Sequence, residues 1–179
     1  MTWSTRTRRA PSLLDVATDV LVAEPGATLA TIAGAAGVSR TTLHSHYPTR
    51  QALLRAVAER AMRVCADAIS GAAEGGGDVL ARVVAALVPV GAHLAFLWRN
   101  PSFDHDPELG ARWIEIEGKL RDVLEVAREE GSLPADLPDW WSVHALFALV
   151  YVASENISLG RLAPLDAPGL VLATLTGRR

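Results

Sequence analysis

Thr28-Leu29-Ala30-Thr31-Ile32-Ala33-Gly34-Ala35-Ala36-Gly37-Val38-Ser39-Arg40-Thr41-Thr42-Leu43-His44-Ser45-His46-Tyr47 reads as two short helices joined by one glycine-centred turn. Thr28 offers a side-chain oxygen to the free N–H groups of the next turn, and Leu29, Ile32, Ala33 and Ala36 recur on one helical face. The first helix is therefore expected over 29–36. Gly37 supplies the positive φ that ends it, Val38 tucks an apolar side chain under the turn, and Ser39 caps a second helix beginning Arg40-Thr41-Thr42. Ala33, Gly37 and Leu43 suit the inner side of a sharp helix crossing, while Arg40, Thr41, Thr42, His44 and Ser45 fall outside it. Hydroxyl and guanidinium groups at the start of an outward helix match what major-groove base edges and flanking phosphates require. The pattern predicts a helix-turn-helix that reads duplex DNA.

Downstream, Pro48 breaks the chain and Thr49 caps a new helix starting at Arg50. A cation in a first helical turn opposes the helix dipole by about 0.3–1 kcal/mol, whereas an arginine beside a helix N-terminus makes a phosphate site. At this point the stretch from about residue 10 to 55 resembles the DNA-binding domain of the TetR (tetracycline-repressor-like) family of bacterial one-component regulators. That family's pattern is an aliphatic, a tyrosine, two variable residues, an aromatic, then a lysine. The resemblance puts the phosphate-contacting tyrosine at His44, the packing aromatic at Tyr47 and the lysine at Arg50. His44 is the departure, being shorter than tyrosine though still a hydrogen-bond donor. The motif's own polar residues, together with the positions the resemblance marks, give the candidate DNA contacts: Thr28, Ser39, Arg40, Thr41, Thr42, His44, Ser45, His46, Tyr47 and Arg50. His44 and His46 stand two apart on a helix and point about 200° apart, so no shared metal is expected.

The resemblance implies an all-α chain. Residues 1–48 would form a three-helix DNA-binding domain with a basic N-terminal arm, and residues 49–179 a helical-bundle domain for effector binding and dimerisation. The net charge of −3 fits once it is divided. Residues 1–50 carry five arginines against Asp15, Asp19 and Glu24, a balance of +2, and the remainder carries −5. The positive end holds the motif. Arg6, Arg8 and Arg9 make the arm, suited to phosphates or a minor groove, or to a solvated tail. A lone cysteine, Cys65, excludes an intrachain disulfide, and its register with Val57, Ala61 and Ala68 marks it as buried. No basic-then-apolar signal opens the chain, so the expected compartment is the cytoplasm. The apolar run Val79 to Trp98 is interrupted by Arg82, Pro89 and His93, and 143–153 is short, so no membrane segment is expected.

Helix punctuation organises the rest. Ser12 and Asp15 form a capping box for a first helix using Leu14, Ala17 and Leu21 and ending at Pro25-Gly26. The helix from Arg50 runs to about Ala73, where Gly75-Gly76-Gly77 makes a turn. Asp78 opens a fifth helix to about Arg99, with a kink at Pro89. Asp106-Pro107 starts a sixth, ending at Gly131. Pro138-Asp139 caps a helix from Trp140 to about Leu159, and Asp166 caps a last one that stops at Gly177.

A single helix-turn-helix reads few base pairs, so a two-fold homodimer on double-stranded operator DNA is expected. Trp141, Ala145, Ala148, Val152 and Ile157 of the penultimate helix, with Leu170, Ala173 and Leu175 of the last, offer surplus apolar surface for it. TetR-like proteins pair through their final two helices. An effector pocket for a small apolar or amphipathic molecule is expected among Phe96, Trp98, Phe103, Trp113, Trp140 and Tyr151, with His93 and His144 as polar handles. No Gly-x-Ser-x-Gly, His-Glu-x-x-His or cysteine-rich metal pattern occurs, so neither enzyme activity nor a cofactor is expected. The implied function is a DNA-binding regulator, a repressor released by an effector. The alternative is a helix-turn-helix protein governed by a protein partner, or by no effector.

Overall fold

The computed structural model describes residues 12–100, 103, 105–134 and 136–177; the arm with Arg6, Arg8 and Arg9 lies outside them. Among the described residues every regular element is helical: α1 (Leu13–Ala23), α2 (Leu29–Ala35), α3 (Arg40–His46), α4 (Arg50–Ala73), α5 (Val79–Leu87), a 3-10 turn (Val88–Val90), α6 (Gly91–Trp98), α7 (Pro107–Glu129), α8 (Asp139–Ser158) and α9 (Ala167–Thr176).

The helix starts follow the side-chain oxygens. Ser12 Oγ accepts from Asp15 N at 3.2 Å while Asp15 accepts from Ser12 N at 3.1 Å, closing the capping box. Thr28, Ser39 and Thr49 cap α2, α3 and α4 by accepting from Thr31 N, Thr42 N and Ala52 N at 3.0–3.1 Å. Each such cap is worth about 1 kcal/mol. Asp106 accepts from Glu108 N and Leu109 N at the head of α7. Two expected caps depart from this pattern. Asp166 sits at the start of α9 in the αR region rather than the extended conformation that folds a side chain back on the first turn. Asp139 is the first residue of α8, makes no cap and pairs with Arg128 instead.

Two further expectations are corrected. The fifth helix is not one kinked rod. Pro89 can donate no backbone hydrogen bond, and the chain tightens into a 3-10 turn that separates α5 from α6. Taken together Val79–Trp98 is long and apolar enough to cross a membrane, with mean hydropathy 1.9, yet over half of that window is buried inside the protein. Leu175, expected at a dimer face, is buried in the protomer's own core, and Ile157 packs against that core half-buried.

One hydrophobic cluster runs from Ala17, Ile32 and Leu43 through Leu53, Val57 and Ile69 of α4 to Leu120, Leu146 and Phe147. The long helix α4 is therefore the spine: α1 packs on one end, and α5, α6 and α7 along the rest. Cys65 lies fully inside that spine, and burial pushes its thiol up to about 12. Gly91 allows α6 to press on α8, since a Cβ there would come within 2.7 Å of Ser154 Cβ.

Ionic ties fasten the layers, three of them at the joints of α4, α7 and α1. Arg55 of α4 holds Asp106 and Glu108 at the start of α7. Arg128 of α7 reaches Asp139 at 2.6 Å and Ser142 at 3.0 Å in α8. The third joins the N-terminal helices to the body. Asp15 of α1 accepts from Arg60 Nε of α4 at 2.8 Å and lies 3.2 Å from His93 Nε2 of α6. The Arg60 hydrogen bonds, helped by Ser12 and His93 and opposed by burial, hold the Asp15 carboxyl well below the usual carboxylate range.

A carboxyl with a depressed native pKa contributes stability that is complete above its unfolded value and is lost as pH falls toward the native one. Asp15→Asn is therefore expected to lower thermal stability fully at about pH 6, with the gap to wild type narrowing as pH drops below about 4. Denaturation followed by circular dichroism across that range checks it, and the difference isolates Asp15 from Asp19, whose carboxyl burial pushes upward. Native protein is also expected to leave Cys65 unmodified by a thiol reagent that labels it at once in denaturant.

Candidate functional site

In the helix-turn-helix, Ile32, Ala33 and Leu43 are buried at the crossing of α2 and α3, and Gly37 adopts φ +67° in the turn between them. Val38 N donates to Ala33 O at 3.0 Å across this turn. With Leu43 anchored inward, Arg40, Thr41, Thr42, His44, Ser45 and His46 are all exposed on α3. Their chemistry is not equivalent. Ser39 Oγ and Thr42 Oγ1 lie 2.8 Å apart, and Ser45 Oγ donates to Thr42 O at 2.8 Å. Thr28 and Thr31 hydroxyls likewise pair, at 3.0 Å. Arg40, Thr41 and His44 make no side-chain hydrogen bond among the described residues, so their donors face outward. Tyr47 is half-buried and packs against the core, the place expected for a bracing aromatic.

Arg50 differs from its expected part as a phosphate-facing cation. Its Nη2 donates to Pro25 O at 2.6 Å and its Nη1 donates to Ala27 O, so the guanidinium grips the connection between α1 and α2. Hydrogen bonds from a charged donor contribute about 1.5–3 kcal/mol each, enough to offset the unfavourable dipole of a cation in the first turn of α4. The side chain sets where α2 begins, and Arg40 is left as the outward cation of the motif.

Below this head, α4, α6, α7 and α8 surround a cavity of about 540 Å³. Of the eight residues named for an effector pocket, Trp98, Phe103, Trp113 and His144 line this cavity. Trp113 and Phe147 rings stand 5.0 Å apart, tilted by 37°. The other four expected residues lie elsewhere. Phe96 is buried in the core against Phe103, and Tyr151 stands behind Trp98 at 5.3 Å. Trp140 is exposed and meets Trp141 edge-on at 5.8 Å. His93 faces Asp15 at the junction with α1, where the pull of a long-range carboxylate outweighs its apolar neighbours.

The sequence reading missed Met62, Leu94, Leu97 and Phe147 of the lining, and more consequentially Glu117. Trp113 Nε1 donates to Glu117 Oε1 at 2.9 Å. Their spacing of four residues on α7 was the available signal, since such pairs share a helix face.

Helix α6 belongs to both regions. Leu94, Leu97 and Trp98 line the cavity, while His93 meets Asp15 and Arg99, which caps the helix, donates to Val22 O of α1 at 2.6 Å. Arg99 also pairs with Glu155 of α8 at 2.6 Å. On the far side, Trp141, Val152 and Leu170 are exposed, with Ala145, Ala148 and Ala173 half-buried among them on α8 and α9.

Residues 13–57 match the family model for bacterial regulatory proteins of the tetR family. The transcriptional repressor LfrR of Mycolicibacterium smegmatis is 37% identical over 153 residues, covering 84% of this chain and 78% of that protein. Among solved structures, the TetR-like regulator LfrR of Mycobacterium smegmatis in complex with proflavine superposes with a TM-score of 0.80 at 31% identity, over 93% of each chain. A second structure of LfrR gives 0.67 at 28% identity, over 93% of this chain and 97% of that one. PfmR of Thermus thermophilus, at 16% identity and a TM-score of 0.65 over 92% of this chain and 94% of that one, shares the fold. With an outward α3 on a helical body and the LfrR repressor matching most of its length, the chain belongs to the TetR family of DNA-binding transcriptional regulators, which are not enzymes.

Proposed function

We propose that the protein is a homodimeric repressor that occupies an operator and leaves it when a small apolar or amphipathic molecule fills the cavity. The observation that carries this reading is the double role of α6. A ligand pressing on Leu94, Leu97 and Trp98 acts on the helix whose His93 and whose capping residue Arg99 hold α1. Displacing α6 therefore shifts α1, and with it the α2–α3 pair packed on α1. LfrR, named a transcriptional repressor and solved with proflavine, supports the same assignment. A cavity of this size between α6, α7 and α8 also favours a small-molecule signal over a protein partner.

The effector needs modest energy. Weakening operator binding tenfold to a hundredfold requires it to favour the non-binding arrangement by about 1.4–2.7 kcal/mol. The dimer is assigned to the face of α8 and α9 carrying Trp141, Ala145, Ala148, Val152, Leu170 and Ala173. Its alanines let paired helices approach while the larger side chains interlock. In the head, Arg40, Thr41 and His44 take the direct DNA contacts. Ser39, Thr42, Ser45 and Thr28 complete the polar rim, His46 and Tyr47 flank it, and Arg50 positions α2.

The deciding experiment selects bound fragments from the source genome, then measures affinity for the recovered operator at fixed salt with and without candidate effectors. Constant affinity at saturation, with binding to the body established separately, would remove induction from the reading. Arg40→Ala is expected to shallow the dependence of log affinity on log salt by about one unit. Arg50→Ala is expected instead to weaken binding to all sequences while leaving that slope unchanged. Anisotropy titrations at several salt concentrations separate the two. Val152→Glu is expected to give a monomer by analytical ultracentrifugation and to lose operator affinity; a stable dimer would move the interface elsewhere.

A further inference from the structure

The cavity holds a group that a purely apolar effector does not need. Among the described residues lining it, Glu117 is the only acid. Its side chain is 19% exposed, partly shielded by the cavity walls. Oε1 accepts the Trp113 indole N–H at 2.9 Å and lies 3.4 Å from His144 Nε2. Oε2 is not one of the fully buried polar atoms left without a partner, so it stays open to solvent and to an incoming ligand. A half-shielded carboxylate set against aromatic walls is best completed by a positive charge at its open oxygen.

His144 meets that need incompletely. Its Nδ1 stands 2.7 Å from Trp140 O, so the ring is tethered to its own helix, and at 58% exposure it sits at the solvent side. A long, solvated contact of this kind contributes little. The remaining walls carry a complementary field. Trp98, Trp113 and Phe147 present ring surfaces, and the faces of aromatic rings attract cations, tryptophan most strongly. The net charge of −5 over residues 51–179 acts in the same direction at longer range.

Resting on the effector reading of this cavity, we propose that it selects flat aromatic monocations, with Glu117 neutralising the positive charge and Trp98, Trp113 and Phe147 holding the ring. His144, whose Nδ1 is committed to Trp140 O, is the side-chain neighbour that the ligand displaces from Glu117. Apolar walls alone would bind a neutral ring and its cationic counterpart by area, whereas the carboxylate makes charge the distinguishing property.

A matched pair of probes tests this: 10-methylacridinium, permanently cationic, and acridine, neutral at about pH 8 and nearly identical in ring area. Binding of each to the full chain is followed by quenching of tryptophan fluorescence and by calorimetry. Wild type is expected to bind the cation about tenfold tighter than acridine. Glu117→Gln is expected to weaken the cation about tenfold and leave acridine within about twofold, while Glu117→Asp keeps part of the preference. Equal affinity of wild type for both probes would overturn the charge selection and leave the effector reading standing. So would a Glu117→Gln variant that loses both probes equally, since Glu117 would then serve packing alone. If neither probe bound wild type, the selection of flat aromatic cations would fall, while the effector reading would still be decided by the operator measurements.

Discussion

Asp15 is where three helices meet, and the relation of head to body depends on it. Its carboxylate takes Ser12 N as part of the cap of α1, Arg60 from α4 and His93 from α6. A partly buried carboxylate is tolerated only with its lone pairs occupied, and here the occupants come from different layers. Helix α1 is thereby held to the spine and to α6 by directional bonds rather than by apolar contact alone. Apolar contacts slide with little penalty; a carboxylate in contact with a guanidinium and an imidazole does not. The position of the DNA-reading helices inherits that definition through the α1–α2 packing and through Arg50, which fixes the connection between them.

Local chemistry was legible in the sequence and long-range pairing was not. Ser12, Thr28, Ser39, Thr49 and Asp106 announced helix starts because a cap involves residues two to three apart, and each is found bonded as its spacing implies. Gly37 was readable because only a residue without a Cβ enters the left-handed region readily. The misassigned residues are those whose partners lie far along the chain. Arg50 binds carbonyls more than twenty residues away, and His93 a carboxylate seventy-eight away. Nothing in their immediate neighbours encodes either contact. Half of the expected cavity residues fell inside it because aromatic content points to a region without giving the rotation of each helix. Phe96 and Trp98 are two apart on α6, and only one can face the same side.

Leu175 illustrates the same limit at the other end of the chain. Surplus apolar surface on two terminal helices suggested a covered face, yet which stripe turns inward is decided by the crossing of α8 and α9. Leu175 and Val171 went to the core, leaving Leu170 and Ala173 beside the exposed edge of α8.

The 3-10 turn at Val88–Val90 has a mechanical consequence. Helix α5 is bolted to the end of α4 by Arg82, which donates to Ala72 O at 2.8 Å and to Gly77 O. Were α5 and α6 one continuous rod, that bolt would also immobilise the cavity wall. The interrupted backbone at Pro89 ends the run of helical hydrogen bonds, so the bolt on α5 does not extend through a continuous rod into α6. What the hydropathy pattern presents as a single helix is thus two segments with separate anchorages, α5 fastened to α4 and α6 packed between α1 and α8.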